Sequence, residues 1–110
     1  MTAVSAINMF RLRPGVSTEE FEQFSLELDR PRCLALDVVL GFEVYFTEQA
    51  DDTAGPHVIE VMTVASWPEW EKVRDSAPEL EPVVARFDEL VEPGSVTTTL
   101  TRNSPLHQEI

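Results

Sequence analysis

Apolar and polar residues alternate most clearly over His57-Val-Ile-Glu-Val-Met-Thr-Val-Ala65, a run rich in β-branched residues bracketed by Gly55-Pro56 and Ser66-Trp67-Pro68. Its pattern predicts a central strand, with His57, Ile59, Val61 and Thr63 on one face and Val58, Glu60, Met62 and Val64 on the other. Both faces are mostly apolar, so both must be covered. The helices of a chain this short cover one face of its sheet, which leaves the second to another chain or a ligand.

Two further runs alternate as strands, residues 3–12, with Ala6, Asn8 and Phe10 on one face and Ile7 and Met9 on the other, and residues 38–48, while Ser95 to Arg102, rich in threonine and valine, makes a fourth strand. In the second of these, Leu40, Phe42, Val44 and Phe46 share a face, with Glu43 and Tyr45 opposite. Ser17, followed by Glu20, reads as a capping box ahead of Phe21, Phe24 and Leu28 at helical spacing, which predicts a helix over Thr18–Asp29 that Pro31 stops. An irregular piece containing Cys33 follows, and the polar stretch 49–56 joins two strands as a hairpin loop. Ser66 opens a second helical region with Trp67, Trp70 and Val73 on one face; Pro78 interrupts it, and Leu80, Val83, Phe87 and Leu90 resume the helical spacing.

The order β-α-β-β-α-β predicts an α+β, ferredoxin-like fold: a four-stranded antiparallel sheet with both helices on one face. Two such sheets stacked face to face would make a dimeric α+β barrel that buries Ile7, Met9, Tyr45, Met62 and Val64. We therefore expect one domain over 1–102, a tail over 103–110, and a homodimer.

Composition narrows the partners. With 20 acidic residues against 8 basic ones, the net charge of −12 repels phosphate backbones and anionic lipid, so neither nucleic acid nor a membrane surface is an expected partner. No run is long enough to span a bilayer, and the arginines near the N-terminus follow the apolar residues instead of preceding them as in a secretory signal. A single cysteine, Cys33, fits a reducing compartment, so the expected location is cytoplasmic.

On the helix-facing side this reading gathers Ala6, Asn8, Phe10, Leu40, Phe42 and Ile59 with Phe24, Trp67, Trp70 and Phe87 from the helices, more aromatic volume than a thin core needs. An apolar pocket with a few polar groups is the usual form of a small-molecule site. Its expected ligand contacts are Phe10, Phe24, Phe42, Ile59, Trp67, Trp70 and Phe87, and its candidate proton-transfer groups are His57, Asn8 and Glu79, the last beside the Pro78 break. Each has an ordinary alternative: Asn8 bonding a neighbouring strand, His57 exposed at the hairpin, Glu79 a solvated helix-end charge, Cys33 a small packing residue. Glu43, Tyr45 and Glu60 are expected on the opposite face, paired to Arg11 or Arg102. Neither metal-ligand spacing nor a nucleotide-binding glycine loop is present, so no cofactor is expected.

Arg13-Pro14-Gly15-Val16-Ser17, Arg30-Pro31-Arg32-Cys33-Leu34, Gly41-Phe42-Glu43-Val44-Tyr45, His57 to Met62, Ser66-Trp67 and Phe87-Asp88-Glu89-Leu90-Val91 together resemble the RedY-like family, over about residues 5–102. Those are small dimeric α+β barrel proteins of bacterial secondary metabolism, associated with prodiginine and bisindole alkaloid pathways. More distantly, His57-Val-Ile-Glu-Val looks like the corresponding strand of olivetolic acid cyclase, and that likeness implies pocket-facing positions for Ala6, Asn8, His57 and Ile59. Ala6 stands where that enzyme has a histidine, and Glu79 near its other catalytic histidine, so its polyketide chemistry does not carry over. The resemblance implies a cofactor-free cyclase or tailoring enzyme acting on an aromatic, indole- or pyrrole-type intermediate. The alternatives are a binding or chaperoning protein of the same pathway, or a cofactorless monooxygenase.

Overall fold

Strands β1 (Val4–Phe10), β2 (Val39–Phe46), β3 (Val58–Val64) and β4 (Thr97–Thr101) form one antiparallel sheet in the order β2-β3-β1-β4. This is seen in a computed structural model that describes residues 3–48 and 55–104. Most of the 49–56 loop and of the 103–110 tail therefore lies outside the described residues. The helical segments are α1 (Thr18–Phe24), α2 (Arg30–Leu34), α3 (Trp67–Ser76) and α4 (Glu81–Leu90). The expected order and antiparallel sheet are observed, with the ferredoxin-like arrangement that follows from them.

Local chemistry accounts for the ends of the elements. Ser17 Oγ accepts the backbone N–H of Glu20 at 3.1 Å, and Ser66 Oγ accepts that of Glu69 at 3.3 Å, so each caps the helix that follows it. Gly15, with φ of 88°, makes the turn after β1 in a conformation open mainly to glycine.

Pro31 does not stop the first helix. Between α1 and α2 the chain widens into a π-helical turn over Ser25–Asp29, with the Arg30 N–H bonded to the Ser25 carbonyl. The wider turn lets helical winding restart just before Pro31, at a first-turn position where its missing N–H is tolerated. Cys33 thus sits within a helix, not in the irregular piece expected from the sequence.

The inward face of β3 is the opposite of the expected one. Val58, Glu60, Met62 and Val64 are buried under the helices, whereas Ile59, Val61 and Thr63 are half-exposed on the open face. Register explains it: the inward Ala6, Asn8 and Phe10 of β1 lie opposite Met62, Glu60 and Val58. Directly opposed residues in an antiparallel pair share a face. A second departure is local to β2, where an irregularity between Val39 and Gly41 turns Val39 into the core and leaves Leu40 58% exposed. The open face therefore presents Ile7, Met9, Ile59 and Val61, with Tyr45 and Glu43 beside them, while Met62 and Val64 belong to the core.

Below the helices, Phe10, Phe21, Phe24 and Phe87 pack edge to face or tilted, with ring centroids 5.1 to 5.5 Å apart for the Phe10–Phe87, Phe21–Phe24 and Phe10–Phe21 pairs. A cavity adjoins this cluster, with Phe10 and Phe87 common to both.

Candidate active site

The cavity, of about 340 Å³, lies between the sheet and the helices, at the lower end of the roughly 300–1,000 Å³ usual for small-molecule sites. Phe10 and Phe42 line it from the strands, Trp67 and Trp70 from α3, and Phe87 from α4. Ser66 starts α3 immediately after β3, so the first turn of that helix lays both tryptophans over the sheet. Val84, Val96 and Arg74 lie at the solvent side, the two valines 47% and 44% exposed.

Polar groups concentrate at one wall. Glu60 of β3, Asp29 of the π-helical turn and Cys33 of α2 all line the cavity and are buried, Glu60 and Asp29 each 5% exposed. The Cys33 thiol donates to Asp29 Oδ1 at 3.4 Å, and Arg30 Nε donates to the buried Ser25 Oγ at 2.9 Å. Glu60 Oε2 has no hydrogen-bond partner among the described residues. An orphaned buried carboxyl oxygen calls for an explanation.

Burial, with the charge of Asp29 added, pushes the Glu60 carboxyl up to about 8. Burial likewise raises Asp29 to about 6, opposed by the bond from Cys33 and by Arg30. Both carboxyls are held toward their protonated forms, Glu60 the more strongly because it lacks the donor that Asp29 has in Cys33. The thiol of Cys33 is pushed far up by burial and by the neighbouring carboxylates, so it is a packing and hydrogen-bonding group, not a nucleophile. Among the described residues, no group of three or more His, Cys, Asp or Glu side chains could hold a metal ion. No helix there is long and apolar enough to cross a membrane.

Of the residues singled out from the sequence, Asn8, Phe10, Phe42, Trp67, Trp70 and Phe87 line this cavity. Asn8 Oδ1 accepts the Thr98 hydroxyl at 2.6 Å, which fixes its amide at the sheet. His57, Glu79, Phe24 and Ile59 are placed elsewhere. His57 Nδ1 accepts the Leu12 N–H at 2.9 Å, and the His57 backbone N–H donates to Phe10 O at 2.9 Å, so the residue stitches the end of β1 to the hairpin. Glu79 is exposed, and its backbone carbonyl accepts from Arg32 Nη1 at 2.8 Å. Phe24 lies against a surface depression beside Glu20 and Arg86, and Ile59 is on the open face.

Glu60 is on neither the face nor the partners expected of it, and Arg11 forms its ion pair with Glu92 at 3.6 Å. Tyr45 and Glu43 do lie on the open face, where the Tyr45 hydroxyl donates to Glu43 Oε1 at 2.9 Å. The polar wall had a sequence signal: Phe21, Ser25, Asp29 and Cys33 recur every four residues, and all are buried. Two polar residues set in an apolar helical stripe mark an inward polar site.

A ferredoxin-like α+β protein with an aromatic cavity that has a buried carboxyl at its wall is the class that fold and site define. A family model described as REDY-like protein HapK matches residues 4–103, and the chain belongs to that family. Among solved structures it is similar to HapK from Hahella chejuensis, with a TM-score of 0.76 at 18% identity over 96% of this chain and 98% of that one. It is also similar to a hypothetical protein of Arabidopsis thaliana, with a TM-score of 0.72 at 13% identity over 98% and 94% of the two chains. A Bacteroides fragilis protein described as dimeric, ferredoxin-like and of unknown function gives 0.68 at 16% identity over 92% and 96%. At these identities the likeness is one of fold. No curated protein matches the chain.

Proposed function

We propose that this chain is a cofactor-independent acid–base enzyme, a cyclase or tailoring enzyme acting on a flat aromatic intermediate of the indole or pyrrole type in bacterial secondary metabolism. The observation that carries the reading is the buried Glu60 carboxyl, one oxygen unpartnered, at the wall of a cavity lined by tryptophan and phenylalanine. Aromatic walls hold a planar ligand by area and by ring geometry. A carboxyl that keeps its proton at neutral pH can protonate an atom that becomes basic as the ring system reorganises. The Asn8 amide, held at its oxygen by Thr98, offers its Nδ2 hydrogens to orient the same ligand. The substrate class rests on membership of the REDY-like family. The same reading makes the protein a homodimer, since the apolar Ile7, Met9, Ile59 and Val61 on the open face suit a second copy.

The test mixes wild type and Glu60→Gln with a candidate pathway intermediate and follows product by mass spectrometry. Loss of the proton donor should slow turnover by roughly 10²–10⁴-fold with ligand affinity nearly unchanged. A second reading, that of a binding protein shielding a reactive intermediate, is favoured by the short polar inventory: the Asn8 oxygen is taken by Thr98 and the Cys33 thiol by Asp29. Wild type that retains the ligand without accelerating its conversion over buffer would establish that reading instead.

A further inference from the structure

We infer that Asp29 is a positioning residue for Glu60: the two carboxyls share one proton, and the Cys33 thiol, by donating to Asp29, decides that the proton stays on Glu60, where a ligand can take it. This rests on Glu60 being the proton-carrying group proposed above. The geometry comes from the π-helical turn, which brings Asp29 and, one turn on, Cys33 to the cavity wall formed by β3. Such turns recur at functional sites because they aim side chains that a regular helix would direct elsewhere.

The charged and polar groups around Glu60 divide unevenly. Asn8 stands opposite it on β1, Asp29, Arg30 and Cys33 come from the helical segment above, and Arg74 from α3 lines the same cavity. Asp29 receives the thiol hydrogen bond, whereas Glu60 Oε2 receives none. A donor bound to one carboxyl of a close pair favours ionisation there and leaves the shared proton on the other.

The pairing also closes a catalytic cycle. When Glu60 protonates a basic ring atom or carbonyl oxygen, its O–H bond breaks, the electron pair stays on the carboxylate, and the new bond uses a lone pair of the ligand. Two buried carboxylates then line the same cavity, which strongly favours recapture of a proton. Glu60 regains it from a neighbouring C–H or N–H of the ligand, whose bonding pair returns to the ring π system. One proton goes in and one comes out, with no oxidant or reductant, so the reaction class is isomerising ring closure or tautomerisation.

The experiment is an NMR titration of the full chain, carbon-13 labelled at the Glu and Asp carboxyls, from about pH 4 to about pH 10. In wild type the Glu60 carbon should titrate mainly near 8, with a second, smaller inflection near 6 where Asp29 titrates. In Asp29→Asn the smaller inflection should vanish and the main midpoint fall by roughly half a unit or more. Cys33→Ala, which keeps both carboxyls, should raise the lower midpoint. A Glu60 midpoint that is high but unmoved in Asp29→Asn would overturn the inference, and if that variant does not fold, a single-step wild-type curve for Glu60 overturns it equally. A wild-type Glu60 midpoint in the ordinary carboxylate range would instead overturn the acid–base reading on which the inference rests.

Discussion

Glu60 couples the chemistry of the cavity to the stability of the fold. Its carboxyl rises from 4.5 to about 8 on folding, chiefly through burial, so between those values the folded chain holds a proton that the unfolded chain has released. Stability from this group is fully present below about 4.5 and is lost as the pH climbs to about 8. Asp29 acts in the same direction over a lower window, from 3.8 to about 6. We expect the melting temperature of wild type to decline across the range from about pH 5 to about pH 8, and that of Glu60→Gln to decline less, as read by scanning calorimetry; parallel curves would remove Glu60 as the cause. Trp70 makes a different kind of contribution. Buried at 6% exposure and lining the cavity, it should lose about 3–5 kcal/mol of stability on truncation to alanine. Denaturant titration measures that loss, and fluorescence of a bound aromatic ligand should show weaker binding in the same variant.

Among the elements, α3 depends on one side chain for its start. Ser66→Ala removes the bond to the Glu69 N–H and should cost about 1 kcal/mol, visible as a shifted denaturation midpoint with an unchanged slope. Ser66 and Ser17 were legible as caps because capping depends on residues three apart in sequence, and three of the strands were legible from their period of two, the fourth from its threonine and valine content. The inward face of β3 was not. With Ile59 and Val61 on one side and Val58, Met62 and Val64 on the other, hydrophobicity does not choose between the faces. The choice is made by pairing with β1, whose partners in β3, from Val4↔Val64 to Phe10↔Val58, lie far along the chain where local pattern cannot register them. Reading that face the other way sent Glu60 to the open face and Ile59 to the cavity. Pro31 misled for a related reason: its rule assumes a regular helix, and the π-helical turn before it removes the conflict. The aromatic walls needed no such information, since Trp67, Trp70 and Phe87 follow from helical spacing alone.

For the whole molecule, the open sheet face is where assembly is expected. Ile59→Lys with Val61→Asp should leave a folded monomer by light scattering at micromolar concentration, with native circular dichroism, because both side chains point away from the helices. A dimer surviving both changes would place the interface elsewhere. The two-sidedness of β3 has one more consequence, for how the chain reaches this structure. A slip of one residue would exchange its faces, seating Ile59 and Val61 under the helices and turning Glu60 to the solvent side. The native register has to bury Glu60, a cost that is smallest while the carboxyl is neutral and grows once the unfolded and slipped chains hold it ionised. Refolding should therefore show a misregistered kinetic trap, seen in stopped-flow fluorescence as a slow escape phase that grows from about pH 4.5 to about pH 8 and is absent in Glu60→Gln. The proton that equips the cavity for chemistry would then also act as a folding proofreader, holding the chain to the one alignment in which the cavity exists.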